Sequence, residues 1–268
     1  MVQYAEDYTI VELMTVTLAR QMKDGEIMYL GAAIPLAVVA TQLARVTHAP
    51  NLVCIYGIWV DPDPFTDFFS VMVDPSALKG FKTSAFINMG DLHDLWQRGK
   101  IDFGIVRPAQ IDQYGNLNNS VIGEYSKPKV RLPGGVAIGD VSHLVGRLLV
   151  YVPRHEPRVF VEKVDFITGP GNLEEGKWRS RMGIKGRGPH KVITDLAVLG
   201  FDEENGKMKV ESVHPGISVD EVQENTGFRL IIPEEVPETE PPTVEQIKLL
   251  REKIDPSNMR GLDYRPRR

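Results

Sequence analysis

Through the first half of the chain, short apolar runs alternate with segments patterned for helices. This alternation limits the fold more than any other feature of the sequence. The runs at 26–30, 51–60 and 101–106 are too short for buried helices and read as strands. Between them, Thr9 to Glu12 has the form of a capping box, and Ile10, Leu13, Met14, Thr17, Leu18 and Met22 follow at helical spacing until Gly25. A small-residue turn, Gly31-Ala32-Ala33-Ile34-Pro35, leads into a helix over 36–45, with Pro35 in the first turn where its missing N–H is no loss. Asp61-Pro62-Asp63-Pro64 breaks the second strand, and the mixed aromatic segment 65–88 carries no assignable pattern. Asp91 caps a short helix to Arg98, closed by Gly99. This order predicts an open, mostly parallel α/β sheet flanked by helices, with ligands gathering beyond the carboxyl ends of the strands.

The second half adds strands at 148–152 and at 163–168, the latter ending in Gly169-Pro170-Gly171. Residues 172–189 are basic and glycine-rich and read as an exposed excursion. Segments 192–201 and 207–213 flank Glu203-Glu204-Asn205-Gly206, whose Asn-Gly pair predicts a late antiparallel hairpin. Ser218 to Glu221 forms another capping box, for a helix stopped by Gly227. Residues 233–242 are acidic and proline-rich, an extended strap. Thr243 to Gln246 caps a last helix through Arg251, and 243–268 forms the C-terminal helix and tail. With no internal repeat, one domain over 1–268 is expected.

Chemistry concentrates in a few places. Ala109-Gln110-Ile111-Asp112-Gln113-Tyr114-Gly115-Asn116-Leu117-Asn118 packs amides, a carboxylate and a phenol into one glycine-centred turn after a strand. It reads as a well-made surface turn or as the wall of a site. Lys127-Pro128-Lys129-Val130-Arg131-Leu132-Pro133-Gly134-Gly135 is basic, then glycine-rich: a solvated loop, or N–H groups and cations facing a thioester oxygen or phosphates. The Gly31 turn can hold an anion, though tight strand-to-helix packing asks for the same residues. The net charge of −5 points away from nucleic acid and anionic membranes as partners. The single cysteine, Cys54, excludes a disulfide framework and multi-cysteine metal sites, and its apolar surroundings suit a core residue. His93 has no metal-ligand spacing around it, and no metal is expected. Without a signal pattern or a membrane-length apolar run, a cytoplasmic location is expected.

Taken together, the landmarks resemble the β chain of the family I CoA-transferases, glutaconate type. They are Gly31-Ala32-Ala33-Ile34-Pro35-Leu36, His48-Ala49-Pro50-Asn51, the 109–118 stretch, Lys127-Pro128-Lys129, Val192-Ile193-Thr194-Asp195, Glu224-Asn225-Thr226-Gly227-Phe228 and Ile254-Asp255-Pro256, in that order over nearly the whole length. The resemblance implies a partner α-type chain, as a heterodimer or α2β2, with the acyl-CoA between the chains. It implies coenzyme A as part of the substrate and no permanently bound cofactor. It also suggests that Gly31, Gln110, Asp112, Tyr114 and Asn116 line the site, with Asp112 and Asn118 equally suited to fixing the turn. Gly134 and Gly135 stand in the region of the family's glycine-rich oxyanion loop, where the family has more glycine than Gly134-Gly135-Val136-Ala137.

One departure bears on the chemistry. Transferases of this family carry a glutamate at the end of the second strand, and its carboxylate attacks the thioester. Here, counting back from Asp61 places Tyr56 at that position, and counting forward from Ala49-Pro50 places Gly57 there. Neither is a carboxylate, and Asp61 matches a different aspartate of the family. Glutamate-less members resemble steroid ring-opening hydrolases, in which a base on the α chain is thought to move the proton, or methylglutaconyl-CoA decarboxylases, with a cysteine at the glutamate position. The sequence is therefore read as a β-type subunit acting on an acyl-CoA as a hydrolase or ring-opening C–C hydrolase, with Tyr56 lining the pocket. A conventional transferase subunit, a decarboxylase-type variant and a non-catalytic structural β chain are the alternatives.

Overall fold

In a computed structural model, residues 2–31, 33–63, 82–172, 178–184 and 186–266 are described. The chain divides into two compact units, residues 1–105 with 240–268, and residues 106–239. The expected α/β architecture forms, an open, mostly parallel sheet flanked by helices. Its parallel pairings join the strands that bracket helices, and antiparallel strands are added beside them.

In the first unit, β1 (Ile27–Leu30) lies between β2 (Val53–Tyr56) and β5 (Phe103–Val106), parallel to both. Leu30 pairs with Tyr56 on one side and Ile105 on the other, so these strands end level. Helix α1 (Ile10–Ala19) starts at the predicted capping box, with Thr9 and Glu12 bonding reciprocally. It is buried almost all round, so Glu12 cannot reach water and must find partners in the fold. Helix α2 (Pro35–Val46) packs against α1, with Pro35 in its first turn as expected. A π-type turn, Leu250–Ile254, and a 3-10 turn, Met259–Gly261, continue the capped C-terminal helix Val244–Leu249 and pack on α2.

Two expectations change here. The run 51–60 is not one strand. After β2 the chain reverses through Gly57 and Ile58 into β3 (Trp59–Val60), pairing Tyr56 with Trp59. Gly57, at φ +61°, is the first of the two turn residues, where a type II′ hairpin requires glycine. Strand β4 (Ala85–Phe86) pairs with β3 in turn. Helix α3 (Met89–Gln97) is capped by Asn88, not Asp91, whose N–H receives the cap. The unassigned segment 65–88 lies largely outside the described residues.

The second unit opens with two small hairpins, β6 (Gln110–Ile111) with β7 (Leu117–Asn118) and β8 (Val121–Ile122) with β9 (Val130–Arg131). Helix α4 (Ile138–Leu144) precedes β10 (Arg147–Val152), and α5 (Trp178–Arg181) precedes β11 (Pro189–Thr194), parallel to β10. Strands β12 (Ala197–Phe201) and β13 (Met208–Val213) then run antiparallel, so 192–201 is itself a reversal through Asp195 and Leu196, and the Asn205-Gly206 hairpin follows it. Helix α6 (Val219–Glu224) carries only half the expected box, Ser218 accepting from the Glu221 N–H. Residues 163–168 form no strand; this part of the chain is tied by single bridges such as Leu117 to Gly169. Nor is 172–189 wholly exposed, because Arg179 is buried and donates to the carbonyls of Pro170, Gly171 and Gly186.

Candidate active site

In the first unit the parallel strands end at Leu30 and Tyr56, and the Gly57 N–H donates to the Leu30 carbonyl at 3.3 Å. Gly31 follows Leu30 directly, so the structure brings Gly31 and Tyr56 to adjacent strand ends, where α/β sheets bind ligands. Space is open around the Gly31 Cα. The Tyr56 ring lies 6.1 Å from that of Trp59 and is 3% exposed. Burial, reinforced by Cys54 and Tyr29, pushes its hydroxyl up to about 12, so it is protonated at neutral pH.

Cys54 shares the strand face of Tyr56. Burial pushes its thiol up to about 12. Its backbone is clamped by Asp61, which stands at φ +50°. The Cys54 N–H donates to Asp61 Oδ1 at 2.8 Å, and the Asp61 N–H donates to the Cys54 carbonyl at 2.8 Å. Arg45 approaches the same carboxylate at 3.7 Å and donates to the Pro62 carbonyl at 2.5 Å. Asp61 thus closes the hairpin. Gln42 and Arg45, with Leu30, Val38 and Thr41, border a small void behind Cys54 and Tyr56. The sequence signal for these helix residues was their i, i+3, i+4, i+7 spacing along α2, which reads equally as plain core packing.

In the second unit the 109–118 turn is built from its own polar groups. The Asp112 carboxylate accepts the N–H groups of Tyr114 and Asn116, each at 3.0 Å, and the Asn116 side-chain amide at 2.9 Å. Burial raises its pKa, and these hydrogen bonds draw it back only in part. Asn116 Oδ1 accepts from the Gly171 N–H at 2.8 Å. The Asn118 amide donates to Gln110 Oε1 at 2.7 Å, and Gln110 Nε2 donates to Asp165 at 3.1 Å. Gly115, at φ +73°, sits against Pro189 and Phe201, where a Cβ would stand 2.7 Å from the proline ring. Tyr114 is half-buried, with the Lys207 ammonium 5.8 Å from its ring centroid. The structure therefore gathers Gln110, Asp112, Asn116 and Asn118 into one network, with their polar atoms turned to each other and to neighbouring loops.

Gly134 and Gly135 lead into α4. Gly134, at φ +100°, has open space at its Cα, whereas a Cβ on Gly135 would stand 2.3 Å from Thr168 Cγ2. Lys127 and Lys129 are exposed, and the Arg131 guanidinium lies 5.2 Å from the Tyr125 ring, which stacks on Phe166. Two buried histidines that the sequence did not single out have both ring nitrogens engaged. His155 meets Thr194 and Thr226. His214 meets Thr239 and the Thr194 carbonyl, and burial pushes it down to about 4. Among the described residues no group of three or more His, Cys, Asp or Glu side chains could hold a metal ion.

The family model for coenzyme A transferase matches residues 11–225. The chain belongs to the coenzyme A transferase family. Within it, this member is similar to β-type subunits of family I. It is 34% identical to the β-type subunit of the 3-oxoadipate CoA-transferase of Pseudomonas knackmussii, over 91% of this chain and 92% of the relative. Identity to the corresponding subunit of the glutaconate CoA-transferase of Acidaminococcus fermentans is 31%, covering 93% and 94%. Against the crystal structure of that transferase the TM-score is 0.83, covering 95% of this chain and 97% of the other. The decarboxylase AibA/AibB gives a TM-score of 0.81 at 31% identity, covering 95% and 98%. The cholesterol ring-cleaving hydrolase IpdB subunit of Mycobacterium tuberculosis is 27% identical, over 96% of this chain and 99% of that relative.

Proposed function

We propose that this family member is the β-type subunit of a heteromeric enzyme that acts on an acyl-CoA thioester as a hydrolase, ring-opening C–C hydrolysis included, rather than as a transferase. The observation that carries this is the end of β2, where a buried, protonated phenol and a turn glycine stand in place of a carboxylate. Transfer through an enzyme-bound glutamyl thioester needs a carboxyl group, and a phenol cannot form one. The nearby Asp61 carboxylate is committed to the Cys54 N–H. A protonated phenol suits another task, donating a hydrogen bond to a carbonyl or enolate oxygen as charge develops on it. Overall identity does not choose among transferase, hydrolase and decarboxylase relatives; the chemistry of this strand end supports the hydrolase reading. The α-type partner supplies the proton-transfer base. Coenzyme A enters as part of the substrate, in the cytoplasm.

A decarboxylase reading has one observation in its favour, a cysteine on the same strand face two residues before Tyr56. Its thiol is 3% exposed and pushed up to about 12, so it is neutral and shielded at physiological pH.

The test is to purify this chain with its α-type partner and to offer a panel of acyl-CoAs with acetate, with succinate or with no acceptor, reading products by mass spectrometry. Conversion without acceptor, with water added, is expected. A new acyl-CoA formed only with acceptor refutes the hydrolase reading, and loss of CO2 establishes the decarboxylase one. Tyr56→Phe is expected to lower turnover roughly 100-fold with assembly intact, the scale of one lost oxyanion donor. Unchanged turnover would make the chain a scaffold.

A further inference from the structure

Residues Pro35–Ala44 of α2 are buried without a break, and Gln42 is the one long polar side chain among them. It is 6% exposed, and its Nε2 has no hydrogen-bond partner among the described residues. A buried amide donor left stranded is costly, so folded proteins satisfy nearly all of them with protein groups or ordered water. The helix-spaced set Val38, Thr41, Gln42 and Arg45 forms one wall of the void behind Cys54 and Tyr56, and Leu30 and Pro62 complete it. The void measures about 10 Å³, room for one water molecule and too small for an acyl chain or a phosphate.

Voids lined only by apolar groups stay dry, but this one has polar walls. Two of its polar neighbours have their protons committed elsewhere. Thr41 Oγ1 donates to the Ala37 carbonyl at 2.8 Å, which leaves its lone pairs as acceptors. The Arg45 guanidinium is turned to the Pro62 carbonyl and the Asp61 carboxylate. The Tyr56 hydroxyl and the Cys54 thiol, on side chains that are both buried, add acceptor atoms from β2. A water in this place takes the Gln42 proton and has two of its own to give, so groups on α2 and β2 complete the set of about three bonds that buried waters make. We infer that the void is a built site for a single water molecule, which satisfies Gln42 Nε2 and ties α2 to the end of β2. All of its residues belong to the first unit.

The test compares the full chain, in complex with its α-type partner, as wild type and as Gln42→Met, which keeps the length and helix preference of the side chain but removes the donor. A high-resolution crystal structure of the wild type should show an ordered water within about 3.2 Å of Gln42 Nε2. In solution, oxygen-17 relaxation dispersion should count one long-lived water fewer in Gln42→Met. The unfolding midpoint of the variant, read at one protein concentration, should fall by about 2–4 °C, because the bound water loses its donor. A dry void gives the opposite sign: the stranded amide is then a defect, and the substitution raises the midpoint. Wild-type density with no water at Gln42, an equal count of long-lived waters, or a midpoint that is unchanged or higher each overturns the inference, and the wild-type density decides even where the variant fails to assemble.

Discussion

Replacing Glu12 with Gln should remove about 3 kcal/mol of stability at neutral pH, and the loss should fade in acid. The Glu12 side chain is 1% exposed. Arg251 grips it twice, Nε to Oε1 at 2.8 Å and Nη2 to Oε2 at 2.9 Å, and Arg260 reaches Oε1 at 2.8 Å. Burial alone would raise its pKa and is the largest influence. The Arg251 hydrogen bonds, the Thr9 N–H and the two guanidinium charges together outweigh it and bring the carboxyl from 4.5 to about 2. That difference corresponds to about 3 kcal/mol, in line with about 3–5 kcal/mol for breaking one side of a buried ion pair. The folded-state pKa lies below the unfolded one, so the contribution is complete above about pH 5 and lost as pH falls toward 2, about half remaining at pH 3. Gln still bonds the Thr9 N–H, as capping boxes allow, so the substitution isolates the charge. Urea denaturation followed by circular dichroism, at pH 7 and pH 3, reads both quantities. A difference under about 1 kcal/mol at pH 7, or one of equal size at both pH values, would refute the reasoning.

Cys54, buried with its thiol near 12, should resist iodoacetamide at pH 8 and react only in denaturant; labelling of the native chain within minutes would contradict this. Gly171→Ala puts a Cβ 2.3 Å from the Tyr114 carbonyl oxygen and should cost at least about 2 kcal/mol by thermal or urea unfolding, with a neutral result showing that the loop gives way. Asp112→Ala strands the buried N–H of Asn116 and the half-buried N–H of Tyr114 and should cost about 1–3 kcal/mol, where a loss under about 0.5 kcal/mol would mean that water takes over those donors.

Features encoded within a few residues were legible in the sequence. The boxes at Thr9 and Thr243 and the proline in the first turn of α2 are local chemistry, and each is present. The βα rhythm was enough to give the open α/β sheet. The Gly57 reversal was hidden because Ile58 and Trp59 continue the apolar run, which mimics one longer strand. The cap of α3 fell one turn early because Asn88 and Asp91 are both capping residues, and only packing chooses between them. At the candidate site, the sequence pointed to the glycine-and-amide turn and to the missing carboxylate. It did not show that Asp112, Asn116 and Gln110 spend their hydrogen bonds on one another and on loops far along the chain. The ties of Gln110 to Asp165 and of Asn116 to Gly171 span 55 residues and have no local signature.

The Asn116–Gly171 hydrogen bond joins residues 55 apart, which makes the 109–118 turn kinetically non-local although it looks local. Closing a loop of that size costs about 3.5 kcal/mol of chain entropy before the bond forms. That bond, unlike the local Asp112 bonds of the turn, therefore belongs to the late, high-contact-order part of folding. During synthesis at roughly 5–20 residues per second, residue 171 emerges about 3–11 s after residue 116. Through that interval the Asn116 amide oxygen and the Gln110 side chain lack their distant partners, and a nascent chain paused between the two segments exposes an unfinished polar turn to quality control.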